Sequence, residues 1–277
     1  MKDVGSLDTA ALLEFTKQVR RDIIQMIEDA GSGHPGGSLS SVEILTVLYK
    51  KLMNFQPGNP DWEDRDRFIL SKGHAAPVLY SVLARCGFFN PEILRSFRKF
   101  GSSLQGHPSM EKLAGLDYSG GSLGQGLSFA NGVAYGLNIK KSSARVYVLV
   151  GDGEIQEGQV WEAMMTSSQQ ALDNLVLIVD SNNLQIDGEI GDVKGLAPLD
   201  KKLDAFGFNT LIVDGHDMQA LENAFLAAGR TKGKPTAIIA QTVKGKGISF
   251  LENQVSSHHR TGFTPEEKQK AYSDIGN

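Results

Sequence analysis

The sequence predicts a doubly wound α/β fold, in which a mostly parallel sheet carries helices on both of its faces. Short runs of β-branched and aliphatic residues, such as Val146–Val150 and Asn174–Asp180, are typical of strands buried on both sides. Segments whose apolar residues recur at helical spacing alternate with these runs along the chain. Residues 146–183 read as strand, acidic turn, helix, strand and amide turn, which is one right-handed βαβ crossover. This alternation indicates a parallel sheet.

The chain begins with a predicted helix over Leu7–Ala30. Its apolar residues lie at helical spacing, and Ser6 or Asp8 is available as the N-cap. Gly31–Ser38 follows as a flexible, glycine-rich loop that carries a histidine in its middle. A second helix, capped by serine, is predicted around Ser41–Met53.

The next segments supply the first strand and three further elements. Asp66–Leu70 is predicted to be a short buried strand that runs into a helix ending near Arg85. Proline at the first position predicts a helix over Pro91–Phe100. The glycine-rich stretch Ser119–Gly126 is predicted to be a loop that leads into a helix ending near Lys140.

The central crossover contains a predicted helix from about Gln156 to Leu172, because its apolar residues fall near helical spacing and Ala and Met favour helix. Leu184–Gly195 is polar and glycine-spaced. The remaining predicted elements are a helix over Pro198–Phe206, a strand over Thr210–Val213, a helix over Met218–Ala228, a strand over Thr236–Val243 and a short helix from Thr264.

Length and composition describe one globular domain. The 277 residues are 40% hydrophobic and 22% charged and contain no obvious linker or repeat, so we expect a single domain over residues 1–277. The net charge of −4 favours neither nucleic acid nor an anionic membrane as a partner. The single cysteine, Cys86, excludes a disulfide within the chain. With no signal peptide or long apolar span in the sequence, we expect a cytoplasmic protein.

Oxygen-bearing side chains follow both strands of the central crossover. Asp152 lies in Gly151-Asp152-Gly153 after the first strand, and Asn182 follows the second. Because parallel strands end at the same edge of a sheet, we expect both side chains to lie there, where open α/β sheets bind ligands. Such a half-shell leaves Mg²⁺ to complete its coordination with phosphate oxygens and water. The alternative is that these residues are only a turn and a strand end.

Four histidine-bearing segments are further candidates for the site, and three of them also have a purely structural interpretation. His34 lies in the glycine-rich loop Gly31–Ser38, where a histidine can simply be exposed to solvent, and His107 lies between Gly106 and Pro108. His74 opens a helix, where it is placed either to donate to a phosphate or to pack locally. His258-His259 precede an arginine in a segment that could be a surface turn. The spacing of glycines in Ser119–Gly126 does not match a dinucleotide-binding fingerprint.

Six motifs in order give the chain a resemblance to the thiamine diphosphate-binding part of transketolase. They are SGHPG at Ser32–Gly36, DRFILSKGH at Asp66–His74, GHP at Gly106–Pro108, GSLGQG at Gly121–Gly126, GDGEIQEG at Gly151–Gly158 and NNLQIDG at Asn182–Gly188. The resemblance covers nearly the whole sequence. It implies a thiamine diphosphate-binding fold of the diphosphate type.

The resemblance also implies how the cofactor is held. A divalent metal, Mg²⁺ or alternatively Ca²⁺ or Mn²⁺, would be bound by Asp152, Asn182 and the backbone carbonyl of Leu184. The diphosphate would be contacted by Gly153, Glu154 and His74. The Gly121–Gly126 loop would reach the aminopyrimidine through backbone groups near Leu123. These contacts would anchor the cofactor at the edge of the sheet.

The same resemblance assigns catalytic roles to three histidines. His34 and His107 would face the reacting carbon of the cofactor and the hydroxyls of the sugar. The late histidine of the family aligns with His258, which would contact both cofactor and substrate. His259, however, replaces the glycine that is usual in the family, so either His258 or His259 is the active-site histidine.

The implied activity is transfer of a two-carbon ketol unit from a ketose, or ketose phosphate, to an aldose acceptor. In the family the cofactor lies between this domain and a pyrimidine-binding domain, and a C-terminal domain follows. We therefore expect those two domains on a separate chain, with this chain as the N-terminal subunit of a split transketolase, assembled as α2β2.

Three other functions are weighed against this one. The α subunit of a 2-oxoacid dehydrogenase, or a decarboxylase, would share the Gly-Asp-Gly and Asn-Asn unit without the histidine motifs. A non-catalytic cofactor-binding or regulatory subunit is the second alternative, and the retention of Asp152, Asn182 and three histidines argues against such a loss of activity. A dinucleotide-dependent dehydrogenase is disfavoured because the glycine fingerprint is missing.

Overall fold

The computed structural model describes residues 8–276 and contains a five-stranded parallel sheet. Its strands are β1 (Arg67–Leu70), β2 (Val146–Gly151), β3 (Leu175–Ser181), β6 (Asn209–Asp214) and β7 (Thr236–Gln241), and they lie in the order β1-β2-β3-β7-β6. A small antiparallel hairpin pairs β4 (Leu184–Gln185) with β5 (Gly188–Glu189) outside this sheet. The predicted fold class, a doubly wound and mostly parallel α/β sheet, is confirmed.

Ten α-helices accompany the strands within residues 8–276. They are α1 (Thr9–Ala30), α2 (Pro35–Leu39), α3 (Val42–Val47), α4 (Ala76–Arg85), α5 (Gln125–Ile139), α6 (Gly158–Gln169), α7 (Ile190–Lys194), α8 (Leu199–Ala205), α9 (Met218–Arg230) and α10 (Pro265–Ile275). A π-helical turn over Leu48–Leu52 extends α3, and short 3₁₀ turns cover Gly73–Ala75, Pro91–Ser96, Gly153–Gln156 and Val255–Ser257. None of the helices in the described part of the chain is long and apolar enough to cross a membrane.

The sheet separates two hydrophobic cores, because successive residues of a strand face opposite sides. In β2, Tyr147 and Leu149 pack on the side of α1, α3, α4 and α9, while Val148 and Val150 pack on the side of α5, α6 and α8. Both faces of the central strands are therefore covered, which explains why these strands are continuous apolar runs in the sequence.

The strand register sets the position of the site. β2, β3 and β7 are adjacent and in parallel, with Gly151 opposite Asp180 and Ser181 opposite Gln241. The segments that leave these strands therefore emerge side by side at the carboxyl edge of the sheet. After β3 the chain passes over the position of β7 to form β6, and then returns through α9 to β7. Crevices at such carboxyl edges are the usual ligand sites of open α/β sheets.

Several predicted element boundaries differ from those observed. The predicted flexible loop Gly31–Ser38 contains the first residues of α2. Pro35 is the first residue of this helix, a position that proline favours, and the glycines that follow it still adopt helical backbone angles. The predicted helix over Pro91–Phe100 is wrong in type and length, since only a 3₁₀ helix over Pro91–Ser96 forms. The N-cap of α1 is Asp8, while the alternative cap, Ser6, lies outside the described residues.

The central helix also begins later than predicted. A 3₁₀ turn over Gly153–Gln156 precedes α6, whose first residue is Gly158. The turn forms because Asp152 caps it, accepting a hydrogen bond from the backbone N–H of Gly153. Leu184–Gly195, for which no element was predicted, folds into the β4–β5 hairpin and α7. Apolar Ile190 anchors α7 by packing into the core.

Two glycines in α5 give a matched test of packing. A Cβ on Gly126 would collide with the side chain of Ser71, whereas a Cβ on Gly132 would meet nothing within 4 Å. We expect Gly126→Ala to lower the free energy of unfolding by about 1–3 kcal/mol through overpacking. Gly132→Ala is expected to raise it by about 0.4–1 kcal/mol, because the helix interior then loses less backbone entropy on folding. Urea denaturation measures the free energy of unfolding of both variants. Equal changes in the two variants would contradict the close packing of Gly126 against Ser71.

Candidate active site at the carboxyl edge of the sheet

A cleft of about 340 Å³ opens at the carboxyl ends of β2, β3 and β7. It is lined by most of the residues that the sequence singled out, which are His74, His107, Gly121, Leu123, Asp152, Gly153, Glu154, Asn182, Leu184 and His258. His34 contacts this group from the side, with its ring centroid 5.3 Å from those of His74 and His258. The segments that were scattered along the sequence are therefore brought together at one edge.

Asp152 is held rigidly at the end of β2. Its Oδ1 accepts a hydrogen bond from the backbone N–H of Gly153 at 2.8 Å, and its Oδ2 accepts from that of Asn183 at 2.6 Å. The carboxylate thus ties the turn after β2 to the turn after β3. Burial, reinforced by repulsion from Asp180, raises the pKa of Asp152 to about 6, although the two backbone hydrogen bonds oppose that shift. A nearby cation would stabilise this carboxylate.

Asn182 and Leu184 supply oxygens on the neighbouring turn. Asn182 Oδ1 accepts from the backbone N–H of Leu184 at 3.1 Å, and its Nδ2 donates to Asp180 at 3.2 Å. These two bonds fix the orientation of the amide. Asn183 has a left-handed backbone, with φ at 62°, which turns the chain back beside Asp152.

A cation already lies against one of these oxygens. Lys244, which follows β7, donates from Nζ to the carbonyl oxygen of Leu184 at 3.0 Å. Its ammonium is also 3.2 Å from His258 Nδ1. Burial lowers the pKa of Lys244 to about 8, while the negative charges of Asp152 and Asp180 favour its protonated form. The carbonyl oxygen of Leu184 is therefore already in contact with a positively charged group, and a metal ion is a second kind of cation that this oxygen could bind.

The donor set fits a divalent ion that shares its shell with a ligand. Asp152, Asn182 and Leu184 offer only oxygen, which hard divalent cations prefer. Within residues 8–276, no three His, Cys, Asp or Glu side chains come together in a way that could hold a metal ion by themselves. An ion bound here would therefore need oxygens from outside the protein, such as those of a diphosphate.

A buried ion pair in the lining of the cleft was missed by the sequence analysis. Lys72 and Asp180 form this pair, with side chains only 2% and 0% exposed. Lys72 also donates to the carbonyl of Gly37 at 2.7 Å, and Asp180 accepts from Ser40 and Thr242. Burial alone would raise the pKa of Asp180, but the charge and hydrogen bonds of Lys72, with those of Thr242 and Ser40, hold it below its ordinary value. The sequence did contain a sign of this pair, because Asp180 is a carboxylate at the end of an otherwise apolar strand.

Glu154 fixes the Gly121–Gly126 loop relative to the turn after β2 and to Ser71 after β1. Its Oε1 accepts from the backbone N–H of Gly124 at 2.8 Å and from the hydroxyl of Ser71, and its Oε2 accepts from the N–H of Gly151 at 3.0 Å. The side chain is buried, at 3% exposure. The carbonyl of Leu123 accepts from Gln159 at 2.9 Å. Glu154 thus positions the Gly121–Gly126 loop over the cleft.

Four histidines cluster beside the cleft. The ring of His34 lies 4.9 Å from His259 and 5.3 Å from both His74 and His258, and His74 lies 5.2 Å from His258. An isolated antiparallel bridge between Gly33 and Arg260 explains part of this arrangement. Because residues flanking such a bridge are also opposed, His34 and His259 form a cross-strand pair.

The two candidates for the late histidine have different surroundings. His258 lines the cleft, is partly buried and contacts Lys244. His259 is exposed and packs on His34. His107 also lines the cleft, and its ring lies against Gly121, where a Cβ would be 3.7 Å from the imidazole Cγ. Of the two adjacent histidines, His258 is the one that faces the ligand-sized space.

Three of these histidines, His34, His74 and His258, are held neutral. Burial, with repulsion from His258 and Arg98, lowers the pKa of His34 to about 3. Burial and repulsion from Lys244 lower that of His258 to about 4, and the pKa of buried His74 also lies well below its ordinary value. Near neutral pH these imidazoles therefore act as hydrogen-bond donors and acceptors rather than as cations.

Residues 13–273 match the family model for "Transketolase, thiamine diphosphate binding domain". The 6-deoxy-6-sulfo-D-fructose transketolase subunit SqwG of Clostridium sp. (strain MSTE9) is 42% identical over 241 residues, which cover 87% of this chain and 88% of SqwG. An apulose-4-phosphate transketolase subunit of Phocaeicola vulgatus is 38% identical over 256 residues, covering 92% of this chain and 90% of that protein. Both relatives are named as subunits.

Longer transketolases match the same region. Human transketolase is 45% identical over 249 residues, which cover 90% of this chain and 39% of the human protein. The crystal structure of transketolase from Campylobacter jejuni superposes with a TM-score of 0.91 and 35% identity, covering 98% of this chain and 43% of that one. This chain thus spans about two fifths of the length of these proteins. The chain belongs to the transketolase family and comprises its thiamine diphosphate-binding domain.

Proposed function

We propose that this chain is the N-terminal subunit of a two-chain transketolase, which transfers a two-carbon ketol unit from a ketose or ketose phosphate to an aldose acceptor. The observation that carries the proposal is the lining of the cleft. Oxygen-bearing Asp152, Asn182 and Leu184 share it with three histidines, His74, His107 and His258, and His34 packs beside His74 and His258. A ligand that has both an anionic group and a polar reacting group matches this lining.

In this proposal the anionic end is the diphosphate of thiamine diphosphate. Asp152, Asn182 and the Leu184 carbonyl hold a divalent ion, Mg²⁺ or alternatively Ca²⁺ or Mn²⁺. Other groups at the cleft contact the cofactor directly, and they are His74, Gly153, Glu154, Gly121, Leu123 and His258. The hydrogen bonds of Glu154 to Gly124 and Gly151 support its part, because they place the loop of Gly121 and the turn of Gly153 around one space.

The reacting end is assigned to His34, His107 and His258. When bound, thiamine diphosphate would supply the nucleophilic carbon and the electron sink for cleavage of the ketose carbon–carbon bond. The histidines donate hydrogen bonds to the sugar oxygens and relay protons between them, because neutral imidazole offers both a donor and an acceptor. Their low pKa values favour this neutral form over a broad pH range.

The partner is a second chain that carries the pyrimidine-binding and C-terminal domains, so that residues 1–277 form one domain of an α2β2 assembly. The two relatives named as subunits support this, since the chain covers 88% and 90% of their lengths. The sugar, or sugar phosphate, would be held jointly by the two chains. A cytoplasmic location is also part of this proposal, supported by the single cysteine of the sequence.

The test is reconstitution. We expect the chain, co-purified with its partner and supplied with thiamine diphosphate and Mg²⁺, to convert ketose phosphates such as xylulose 5-phosphate in the presence of an aldose acceptor. The chain alone is expected to be inactive. Release of CO₂ from pyruvate without ketol transfer would instead favour a decarboxylase or 2-oxoacid dehydrogenase. Full activity of the chain without a partner would contradict the split assembly.

A further inference from the structure

Arg98 reaches from a sharp turn to the loop that carries His34. The residue follows the Pro91–Ser96 turn with a left-handed backbone, at φ 58°, and its N–H donates to the carbonyl of Leu104 at 2.9 Å. Its Nη1 donates to the hydroxyl of Ser32 at 2.8 Å, and its Nη2 lies 3.4 Å from His34 Nδ1. A non-glycine residue in this backbone region is uncommon and strained. This strained residue makes both of its Nη contacts with the loop that carries Ser32 and His34.

The guanidinium is confined on its other sides. It lies over the ring of Phe97, with 5.4 Å from Cζ to the ring centroid. Gly106 packs against it so closely that a Cβ there would be 2.9 Å from Nε. Nε is buried and has no hydrogen-bond partner within the described residues. The confinement leaves the Nη atoms directed at Ser32 and His34.

The contact with His34 determines which ring nitrogen carries the proton. Arginine has only donors and stays charged, so a ring nitrogen that contacts its Nη2 must be an acceptor. His34 Nδ1 is that nitrogen, and the proton of the neutral ring is then on Nε2. The positive charge of Arg98 also lowers the pKa of both His34 and His107, in each case in addition to burial. Arg98 therefore acts on two of the three histidines assigned to the reacting end.

We propose that Arg98 is a positioning residue that fixes His34 as the Nε2–H tautomer and so presents a hydrogen-bond donor to the sugar oxygens. Its catalytic consequence rests on the proposed function, in which His34 contacts the substrate. The tautomer itself does not depend on that function. The two can therefore be tested separately.

Other titratable groups around His34 also influence its pKa. They are His74 after β1, His107 in the Gly106–Pro108 loop, and His258 and His259 in the C-terminal segment. Each of them disfavours a positive charge on His34 if it is itself protonated. Removing Arg98 thus raises the pKa of His34 from about 3, but burial and His258 keep it below the ordinary value.

The first measurement is the tautomer of His34 by nitrogen NMR of the full chain labelled with ¹⁵N-histidine. Comparison with His34→Gln identifies its signals among the six histidines. We expect the Nε2–H form at neutral pH in the wild-type chain, and a mixture of tautomers in Arg98→Met. A wild-type His34 in the Nδ1–H form, or a tautomer unchanged in Arg98→Met, overturns the proposal whether or not the complex is active.

The second measurement is the kinetics of the reconstituted complex. Arg98→Met is expected to lower kcat by about 10- to 100-fold with little change in KM, by analogy with the loss of groups that orient metal-binding histidines. The acid limb of the pH profile should move to higher pH, because the neutral form of His34 is then lost earlier on acidification. Arg98→Lys should restore part of kcat, since an ammonium also donates to Nδ1.

Arg95→Met is the matched control, because Arg95 lies in the preceding Pro91–Ser96 turn but is exposed. Its kcat and pH profile are expected to equal those of the wild type. An Arg98→Met complex that loses activity with an unshifted acid limb and no rescue by lysine would mean a structural role only. An inactive wild-type complex would contradict the proposed function and leave the NMR result to decide the tautomer.

Discussion

Asp152→Ala is expected to weaken binding of thiamine diphosphate and Mg²⁺ to the reconstituted complex by at least about 100-fold, because a direct ligand should matter at least as much as the groups that only orient ligands, whose loss costs about 10- to 100-fold. The carboxylate is the only charged group of the proposed donor set, so without it the amide of Asn182 and the carbonyl of Leu184 cannot neutralise the ion. Calorimetric titration of cofactor with and without Mg²⁺ measures the effect. In the variant, the gain in affinity from Mg²⁺ should disappear.

Two further variants separate binding from folding. Asp152→Ala also leaves the N–H groups of Gly153 and Asn183 without their acceptor, which costs about 1–3 kcal/mol of stability. Asp152→Asn keeps the size of the side chain and one oxygen acceptor, so it should fold better and still lose Mg²⁺-dependent affinity. Asp187→Asn is the control, because Asp187 lines the same cleft but is exposed. Wild-type affinity in Asp152→Asn would refute the proposed metal site.

The convergence of Asp152 and Asn182 could be predicted because topology alone enforces it. Their strands are adjacent and parallel, so the residues that follow each strand emerge at one edge whatever the side chains do in detail. The hydrophobic pattern predicted the strands for the same reason, since burial on both faces leaves little choice of residue type. These are properties of local sequence and chirality.

The surroundings of His34 could not be predicted in this way. His34 meets His259 through one bridge between segments more than 200 residues apart, and it meets Arg98 through a strained turn. No periodic pattern in the sequence indicates either contact, because each depends on where the loops pack once the sheet has formed. The helix predicted over Pro91–Phe100 failed at the same place. Ending it early produces the left-handed turn at Arg98 that directs the guanidinium to the site.

The buried ion pair of Lys72 and Asp180 also stabilises the site, and the sequence analysis did not predict that these two residues would meet. Asp180 accepts from Lys72, Ser40, Thr242 and Asn182, and so joins the loop after β1, the end of α2 and the turns after β3 and β7. Removal of the charge should therefore disturb folding before it disturbs chemistry. This leads to the largest expected change in stability.

Lys72→Met is expected to lower the free energy of unfolding by about 3–5 kcal/mol, because it leaves the buried carboxylate of Asp180 without its cation. The double variant Lys72→Met/Asp180→Asn should recover at least about half of that loss, since removing both charges of a buried pair is far less costly than removing one. Urea denaturation at constant m-value measures both.

Lys140→Met is the matched control for the loss of a lysine ion pair. Lys140 pairs with Glu63 at 3.1 Å, but their side chains are 64% and 78% exposed, so solvent screens the interaction. We expect a change of no more than about 0.5 kcal/mol. If Lys72→Met were as mild as Lys140→Met, the ammonium would not be what stabilises Asp180, and its three neutral donors would have to suffice. If the double variant were no more stable than Lys72→Met, the loss would come from the missing Lys72 contact with Gly37 rather than from an uncompensated charge.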